Sequence, residues 1–386
     1  MTANINLPRI LRIGAGASRL LPEVLDKLNL KQPLLVTDAF IVGLGWLDTL
    51  ETQLSEKGFS HSRFTGVVPD PTSAAVTAGL AVLRQGEYDC VVALGGGSSI
   101  DTAKAIAVMA HRDQPMRHYK VPNSIDDGLP VIAIPTTAGT GSEATRAAVI
   151  TDTDSQEKML CMGLGLMPIA ALVDFELTLS MPWRLTADTG LDSLCHALEA
   201  YVSKKANALT DTIALAAMTA INTHIRTACQ QPDNREAREA MMLAATQGGI
   251  AFSNSSVTLI HGMSRPIGAL YHVPHGLSNA MLLADVTAWS ISGAPTRYAD
   301  CARAMGMAEL RDSDTTANQK LVAGLRLLCS DLKVPSPGEF GIDAHAWQQS
   351  LELMTQQALD SGSPNNNPRI PSAAEIKDLY QKVWGN

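Results

Sequence analysis

The six cysteines of this 386-residue chain, Cys90, Cys161, Cys195, Cys229, Cys301 and Cys329, form no C-x-x-C pair. Their scatter fits neither a disulfide framework nor a structural zinc knuckle, and they read as buried, reduced thiols. A basic block is also missing. The net charge is −8 with 18% charged residues, so the electrostatic footprint of a nucleic-acid binder is absent and no nucleic-acid partner is expected. No uninterrupted apolar stretch approaches the roughly 20 residues that span a bilayer. The opening residues, Met-Thr-Ala-Asn-Ile-Asn-Leu-Pro, carry neither the charged nor the apolar region of a signal peptide. The expectation is a cytoplasmic protein with no membrane partner. No internal repeat is visible either.

What is present is an ordinary globular composition, 46% hydrophobic, on a chain long enough for two domains with separate cores. Apolar, β-rich runs occupy residues 34–37, 91–94, 131–134 and 171–174, with helical patterns over 73–84 and 98–110 between them. Strands alternating with helices predict a parallel sheet covered on both faces, and continuous rather than alternating apolar strands predict the same. From about Leu185 the pattern turns helical, over 191–203, 209–227, 234–249 and 298–305. The expected domains are therefore 1–180 and 181–386. Residues 360–371, rich in Pro, Asn and Ser, read as a surface connection before a last short helix.

The run at 91–94 opens into Gly95-Gly96-Gly97-Ser98-Ser99-Ile100-Asp101 ahead of a helix. Three glycines permit a tight turn and close approach by a ligand. Ser98 and Asp101 have capping-box spacing, and the free N–H groups of a helix start suit a diphosphate. The loop matches neither G-x-G-x-x-G nor the G-K-[ST] of a P-loop, so a plain tight turn is the alternative. A second loop, Pro135-Thr136-Thr137-Ala138-Gly139-Thr140-Gly141-Ser142-Glu143, packs small and hydroxyl residues after a buried strand. Two such loops at the carboxyl ends of parallel strands favour a nucleotide cofactor. Asp38, directly after the first run, suits a ribose and repels a 2′-phosphate, which favours NAD over NADP. Its alternative is an ordinary turn residue.

Asp192 and His196 stand at i and i+4 of a helical pattern, a spacing that lets one helix present two ligands to one ion. Three of the chain's nine histidines, His261, His272 and His275, crowd into one short apolar stretch. Singly, each position reads as a hydrogen-bonded core histidine or an ion pair. As a set, Asp192, His196, His261 and His275 suit Fe²⁺ or Zn²⁺ rather than calcium or magnesium, which prefer oxygen ligands. His272 and His118 offer proton-relay groups, with surface histidines the simpler assumption. A cleft joining the metal set to the nucleotide loops would be a dehydrogenase layout.

These blocks resemble the iron-containing (group III) alcohol dehydrogenases, which include lactaldehyde reductase and 1,3-propanediol dehydrogenase. The resemblance covers nearly the whole chain: Leu35-Val-Thr-Asp38, the two loops, Thr189-Gly-Leu-Asp192, His196-Ala-Leu-Glu-Ala-Tyr-Val-Ser203, His261 and Pro274-His275-Gly276. It implies a Rossmann-like, dinucleotide-binding α/β N-terminal domain and an all-α C-terminal domain, a fold shared with dehydroquinate synthase-like proteins. It implies that Asp192, His196, His261 and His275 are the metal ligands. It further implies that Asp38, Asp70, Gly95, Gly96, Gly97, Ser98, Ser99, Thr136, Thr137 and Thr140 contact NAD(H), and that the protein is a homodimer or larger homo-oligomer. The expected reaction is hydride transfer between the nicotinamide and a small alcohol or aldehyde, with Fe²⁺ (or Zn²⁺) polarising the oxygen.

One position departs from the pattern. Many relatives carry a second histidine four residues after the first ligand of the His-rich stretch; here it is Arg265. Arginine relays no proton at neutral pH but clamps carboxylate, sulfonate or phosphonate groups bidentately. A substrate with an acidic group is therefore expected, the alternative being a structural arginine paired with an acid or capping carbonyls. Within the same architecture, a dehydroquinate-synthase-like cyclase or a polyol-phosphate dehydrogenase would bring a Lys/Arg cluster, which the helical half lacks. A catalytically silent nucleotide-binding protein would have no use for the four ligand positions.

Overall fold

Apolar strands without alternation need cover on both faces, and the residues between them supply it. The computed structural model describes residues 2–155 and 157–385; Met1 and Asn386, the outer ends of the two expected domains, lie outside the described residues. The chain divides into two compact units, Ile5–Ser180 and Met181–Asn386, with residues 2–4 grouped with the second.

The first unit runs β1 (Ile10–Ile13), α1 (Leu21–Leu28), β2 (Pro33–Asp38), α2 (Ala39–Gly43), α3 (Trp46–Glu56), β3 (Ser62–Val67), α4 (Ser73–Leu83), β4 (Cys90–Gly95), α5 (Gly97–Met109), β5 (Val131–Pro135), β6 (Ala147–Thr151), β7 (Lys158–Met162) and β8 (Ala170–Val173). Six strands form one parallel sheet in the order β1-β8-β5-β4-β2-β3, while β6 and β7 pair antiparallel as a separate hairpin. Successive strand residues face opposite ways. Leu34, Val36, Val91, Ala93, Val131 and Ala133 pack in one core with Val76 and Leu80 of α4 and Ile100 and Ile106 of α5. Leu35, Val92, Leu94, Ile132 and Ile134 join a second core with Leu21 and Leu25 of α1 and Leu50 and Leu54 of α3.

Strand order reverses at β2: β3 leaves on one side, and β4, β5 and β8 on the other. Open α/β sheets bind ligands at such a reversal, outside the carboxyl ends of the strands. The carboxyl ends beside it carry Asp38 from β2 and the glycine loop from β4.

The second unit is helical throughout its described residues: α6 (Trp183–Val202), α7 (Ala208–Gln230), α8 (Arg235–Ser253), α9 (Leu259–Tyr271), α10 (His275–Ser290), α11 (Pro295–Ala304), α12 (Asp314–Asp331), α13 (Pro337–Phe340), α14 (Ala344–Asp360) and α15 (Ala373–Trp384). Side-chain caps start many of them. Asn207 forms a capping box with Thr210, Ser372 with Glu375, and Asn234 accepts from the Ala237 amide, satisfying donors a helix start leaves open. Helix α6 is the innermost, with nearly every residue of 186–202 buried. Among the described residues no helix is long and apolar enough to cross a membrane. All six cysteines are free thiols, five of them buried.

Candidate metal centre and cofactor loops

Helix α6 carries Asp192 and His196 one turn apart. Helix α9 brings His261 within its first turn, and α10 begins at His275. Gly276 makes the last approach possible, since a Cβ there would lie 2.3 Å from the Asp188 carbonyl oxygen on α6. The Nε2 atoms of His261, His275 and His196 stand 3.5, 3.7 and 3.9 Å from Asp192 Oδ1. One ligand atom from each of the four lies within 4.8 Å of all the others. Asp192, His196 and His261 are buried, whereas the His275 side chain is 40% exposed.

These separations exceed a hydrogen bond. They are close to the ~3.4 Å between neighbouring ligands of a four-coordinate ion with bonds of about 2.1 Å. One carboxylate and three imidazoles whose lone pairs converge make a donor set for Fe²⁺ or Zn²⁺, so the residues present fit the group that the sequence anticipates. Burial pushes the Asp192 carboxyl up, but His196, His275 and His261 outweigh it and hold it well below the usual carboxylate range. Burial drives His196 down, the direction that favours the neutral imidazole a metal ligand requires, whereas His261, against its burial, is driven up by the Glu199 carboxylate.

The sequence reading missed two side chains that shape this centre. Glu199, seven residues after Asp192 on α6, takes the His261 Nδ1–H at 2.5 Å, the Thr258 hydroxyl at 2.7 Å and the Ile260 amide at 2.6 Å. Despite burial, the His261 ring holds the Glu199 carboxyl below its ordinary value. A carboxylate behind Nδ1 fixes the tautomer that turns Nε2 inward. Asn279, four residues after His275, donates Nδ2 to Asp192 Oδ1 at 2.7 Å. The signals were the i+7 and i+4 spacings. His196 itself lies stacked between Phe252 (centroids 4.3 Å apart) and His261 (4.5 Å), which fixes its ring plane. His118 and His272 are exposed, as the simpler assumption had them.

Arg265 follows His261 by one turn on α9, part-buried, with Nη1 donating to Ser363 Oγ at 3.1 Å.

In the sheet unit the two loops meet one another. The Thr136 amide donates to the Gly95 carbonyl at 3.0 Å. A Cβ on Gly96 would stand 3.3 Å from the Thr137 side chain, and one on Gly97 2.7 Å from Thr140 Cγ2. Gly95, at φ +150°, would push a Cβ to 2.3 Å from Ser99 Oγ. The glycines are thus required by loop-on-loop packing as well as by the turn. The expected Ser98–Asp101 capping box does not form. Gly96 is the N-cap, without a side-chain bond, and Asp101 instead accepts from Ser142 Oγ at 2.6 Å and the Val149 amide at 2.8 Å. The reason is tertiary: the second loop and β6 offer Asp101 buried donors that its own helix start does not match.

Asp38 caps α2 through the Ile41 amide at 3.0 Å and accepts the Ser99 hydroxyl at 3.2 Å. It therefore fills the turn role and also sets a carboxylate beside Gly95. Ser99 is fully buried and its hydroxyl is committed to Asp38. Asp70 adopts φ 51° and pairs with Lys158 at 2.8 Å. The sequence reading also passed over Lys104 of α5. It is fully buried and its ammonium ties the second loop to β6, donating to Ser142 Oγ (2.9 Å), Thr145 O (3.0 Å) and Ala147 O (2.8 Å).

Comparison with known proteins agrees with both halves of this description. The family described as iron-containing alcohol dehydrogenase matches residues 8–175, and the C-terminal part of the Fe-containing alcohol dehydrogenase family matches residues 186–384. The NAD-dependent methanol dehydrogenase of Bacillus methanolicus is 34% identical over 382 residues, 98% of this chain and 99% of that protein. A crystal structure of 1,3-propanediol oxidoreductase superposes with a TM-score of 0.95 at 33% identity, covering 99% of this chain and 100% of the other. The sulfoacetaldehyde reductase of Bifidobacterium kashiwanohense, in complex with NAD⁺, gives a TM-score of 0.89 at 26% identity with complete coverage of both chains. A donor set of Asp and three His beneath a full-length match of this kind has one family to belong to: the chain is an iron-containing alcohol dehydrogenase family member.

Proposed function

We propose that this chain is a metal-dependent, NAD(H)-linked alcohol dehydrogenase and aldehyde reductase acting on a small substrate. The observation that carries the reading is the convergence of Asp192, His196, His261 and His275 at 3.5 to 3.9 Å in a chain of this family. In it, residues 181–386 hold the metal and substrate and residues 1–180 hold the cofactor. Those four side chains would hold Fe²⁺, with Zn²⁺ the alternative for a mixed Asp/His set. When bound, the ion supplies Lewis acidity to the alcohol or carbonyl oxygen.

The remaining work falls to the chain's own residues. Glu199 keeps the His261 proton on Nδ1 and its lone pair on Nε2; Asn279 orients the Asp192 carboxylate; Phe252 holds the His196 ring plane. The glycine loop and Thr136, Thr137 and Thr140 offer backbone donors and hydroxyls at the carboxyl ends of β4 and β5, where a dinucleotide binds in sheets of this order. Asp38 sets a negative charge where a 2′-phosphate would stand, which favours NAD over NADP. The NAD-dependent and NAD⁺-bound relatives support the same cofactor. NAD⁺ held by these loops would supply the hydride acceptor, and the balance would be alcohol and NAD⁺ to carbonyl compound, NADH and H⁺.

Free thiols throughout suit a reducing cytoplasm, and a homodimer or larger homo-oligomer is the expected assembly, measurable by light scattering. The deciding experiment is metal removal. Protein stripped by chelation should lose turnover, keep NADH binding, and recover on adding Fe²⁺ or Zn²⁺. Full activity in protein that elemental analysis shows to be metal-free would overturn the reading.

A further inference from the structure

A buried arginine normally spends its five donors. Arg238 shows how this helical unit does it, donating to the Pro232 carbonyl, the Thr186 hydroxyl and the Met181 carbonyl. Arg265 differs. The single hydrogen bond of its guanidinium goes to Ser363 Oγ at 3.1 Å, and among the described residues no carboxylate stands within ion-pair distance of it. Burial pushes the guanidinium pKa down, with the Glu199 charge opposing. Glu199 takes three other donors, from His261, Thr258 and Ile260, and none from Arg265. A guanidinium keeps its charge regardless, so a part-buried cation is left with donors that no protein group takes.

The surroundings hold that cation in place. Arg265 lies at i+4 from His261, on the same face of α9, about 6 Å further along the helix axis. The turn Ser363–Asn366 seats directly on α9, since a Cβ at Gly262 would lie 2.9 Å from the Pro364 ring. Tyr380 donates to the Met263 carbonyl at 2.7 Å, and Asn366 ties the same turn to Ser256 at 2.8 Å. A fixed wall therefore carries Arg265 on the helical turn that follows a proposed ligand position.

We infer that Arg265 is the anion clamp of this centre, selecting short aldehydes and alcohols that carry a carboxylate, sulfonate or phosphonate. The planar fork matches two oxygens of any of these groups. The inference rests on the dehydrogenase reading above and names its substrate class.

The test measures NADH-linked kcat/KM of the metal-loaded enzyme on butanal, succinic semialdehyde, sulfoacetaldehyde and phosphonoacetaldehyde. Wild type should prefer at least one charged aldehyde, and the one preferred identifies the acid group. Arg265→Ala should lower the charged-to-neutral ratio about 10- to 100-fold, chiefly through KM, the scale of a charge-assisted hydrogen bond. Arg265→Lys should recover part of the ratio, and guanidinium ion added to the alanine variant should recover it for charged substrates alone. Melting temperature and bound metal confirm that each variant is folded. An unchanged ratio in folded, metal-loaded Arg265→Ala overturns the clamp. If that variant does not fold, the wild type decides: methanesulfonate or propanoate competing with butanal better than propanamide supports the clamp, and equal competition overturns it. A wild type that reduces none of the four aldehydes overturns the dehydrogenase reading itself. One that reduces butanal as well as the charged aldehydes overturns the clamp alone.

Discussion

Three donors reach the Glu199 carboxylate, and the closest is the His261 ring at 2.5 Å. Losing the charge while keeping the shape isolates what that contact does for the metal. Glu199→Gln should weaken metal retention by about 10- to 100-fold, the usual effect of removing a group behind a ligating histidine. Competition against a chelator, followed by elemental analysis, measures it; unchanged affinity would leave Glu199 a purely structural acid. The four converging side chains were legible in the sequence because two of them share one helix face and two crowd one apolar stretch. Glu199 and Asn279 share those faces too, at i+7 from Asp192 and i+4 from His275. Their roles depend on partners 62 and 87 residues away, and spacing along one helix does not report those. Arg265 was visible as a departure from the family pattern, but only the structure shows that it makes no ion pair with a neighbouring acid and bonds Ser363 instead.

The β4–α5 junction is built as one unit with the loop after β5. A methyl group on Gly95 meets Ser99 Oγ at 2.3 Å at a φ of +150°, a region L-residues rarely adopt. Gly95→Ala should cost about 1–3 kcal/mol of stability and weaken NADH binding, as read by denaturant unfolding and fluorescence titration. Wild-type values for both would show that the junction tolerates what its geometry forbids. Lys104 behind it gives a pH dependence of known sign. Burial lowers its pKa from 10.5 to about 8, with Asp101 and Glu143 opposing. Between those values the unfolded chain binds the extra proton, so this group's contribution to stability rises with pH and is lost as pH falls through about 8. The stability difference between wild type and Lys104→Met should therefore grow in favour of wild type from pH 8 to 10.5. A difference that is flat or shrinks over that window would contradict the assignment. Strands β2, β4, β5 and β8 were readable as apolar runs because both of their faces are covered. Strand β3 was not, since at the sheet edge it alternates exposed Arg63 with buried Phe64, and the β6–β7 hairpin alternates in the same way.

On the scale of the whole chain, each unit carries its own chemistry-bearing residues, so each ligand should leave its imprint on a separate stretch of backbone. Hydrogen exchange with and without metal should show added protection concentrated in α6 and the first turns of α9 and α10. NADH should protect the β4–α5 junction and residues 136–140. Metal-dependent protection that spares α6, α9 and α10 would place the ion elsewhere. A ligand that binds only the folded state stabilises it by mass action, so the chelated protein should also melt lower. The change from alternating strands to continuous helix near residue 180 was legible because it is a change of period; the strand order was not, because it is set by which faces meet.

The four proposed ligand positions are also unequal in access. Three are sealed in the helical core and His275 alone is 40% exposed. On the proposed reading, an ion arriving from solvent would meet that imidazole first. Replacing His275 should therefore change the rate at which metal is taken up and lost more than replacing a sealed ligand does, as stopped-flow metal exchange would show.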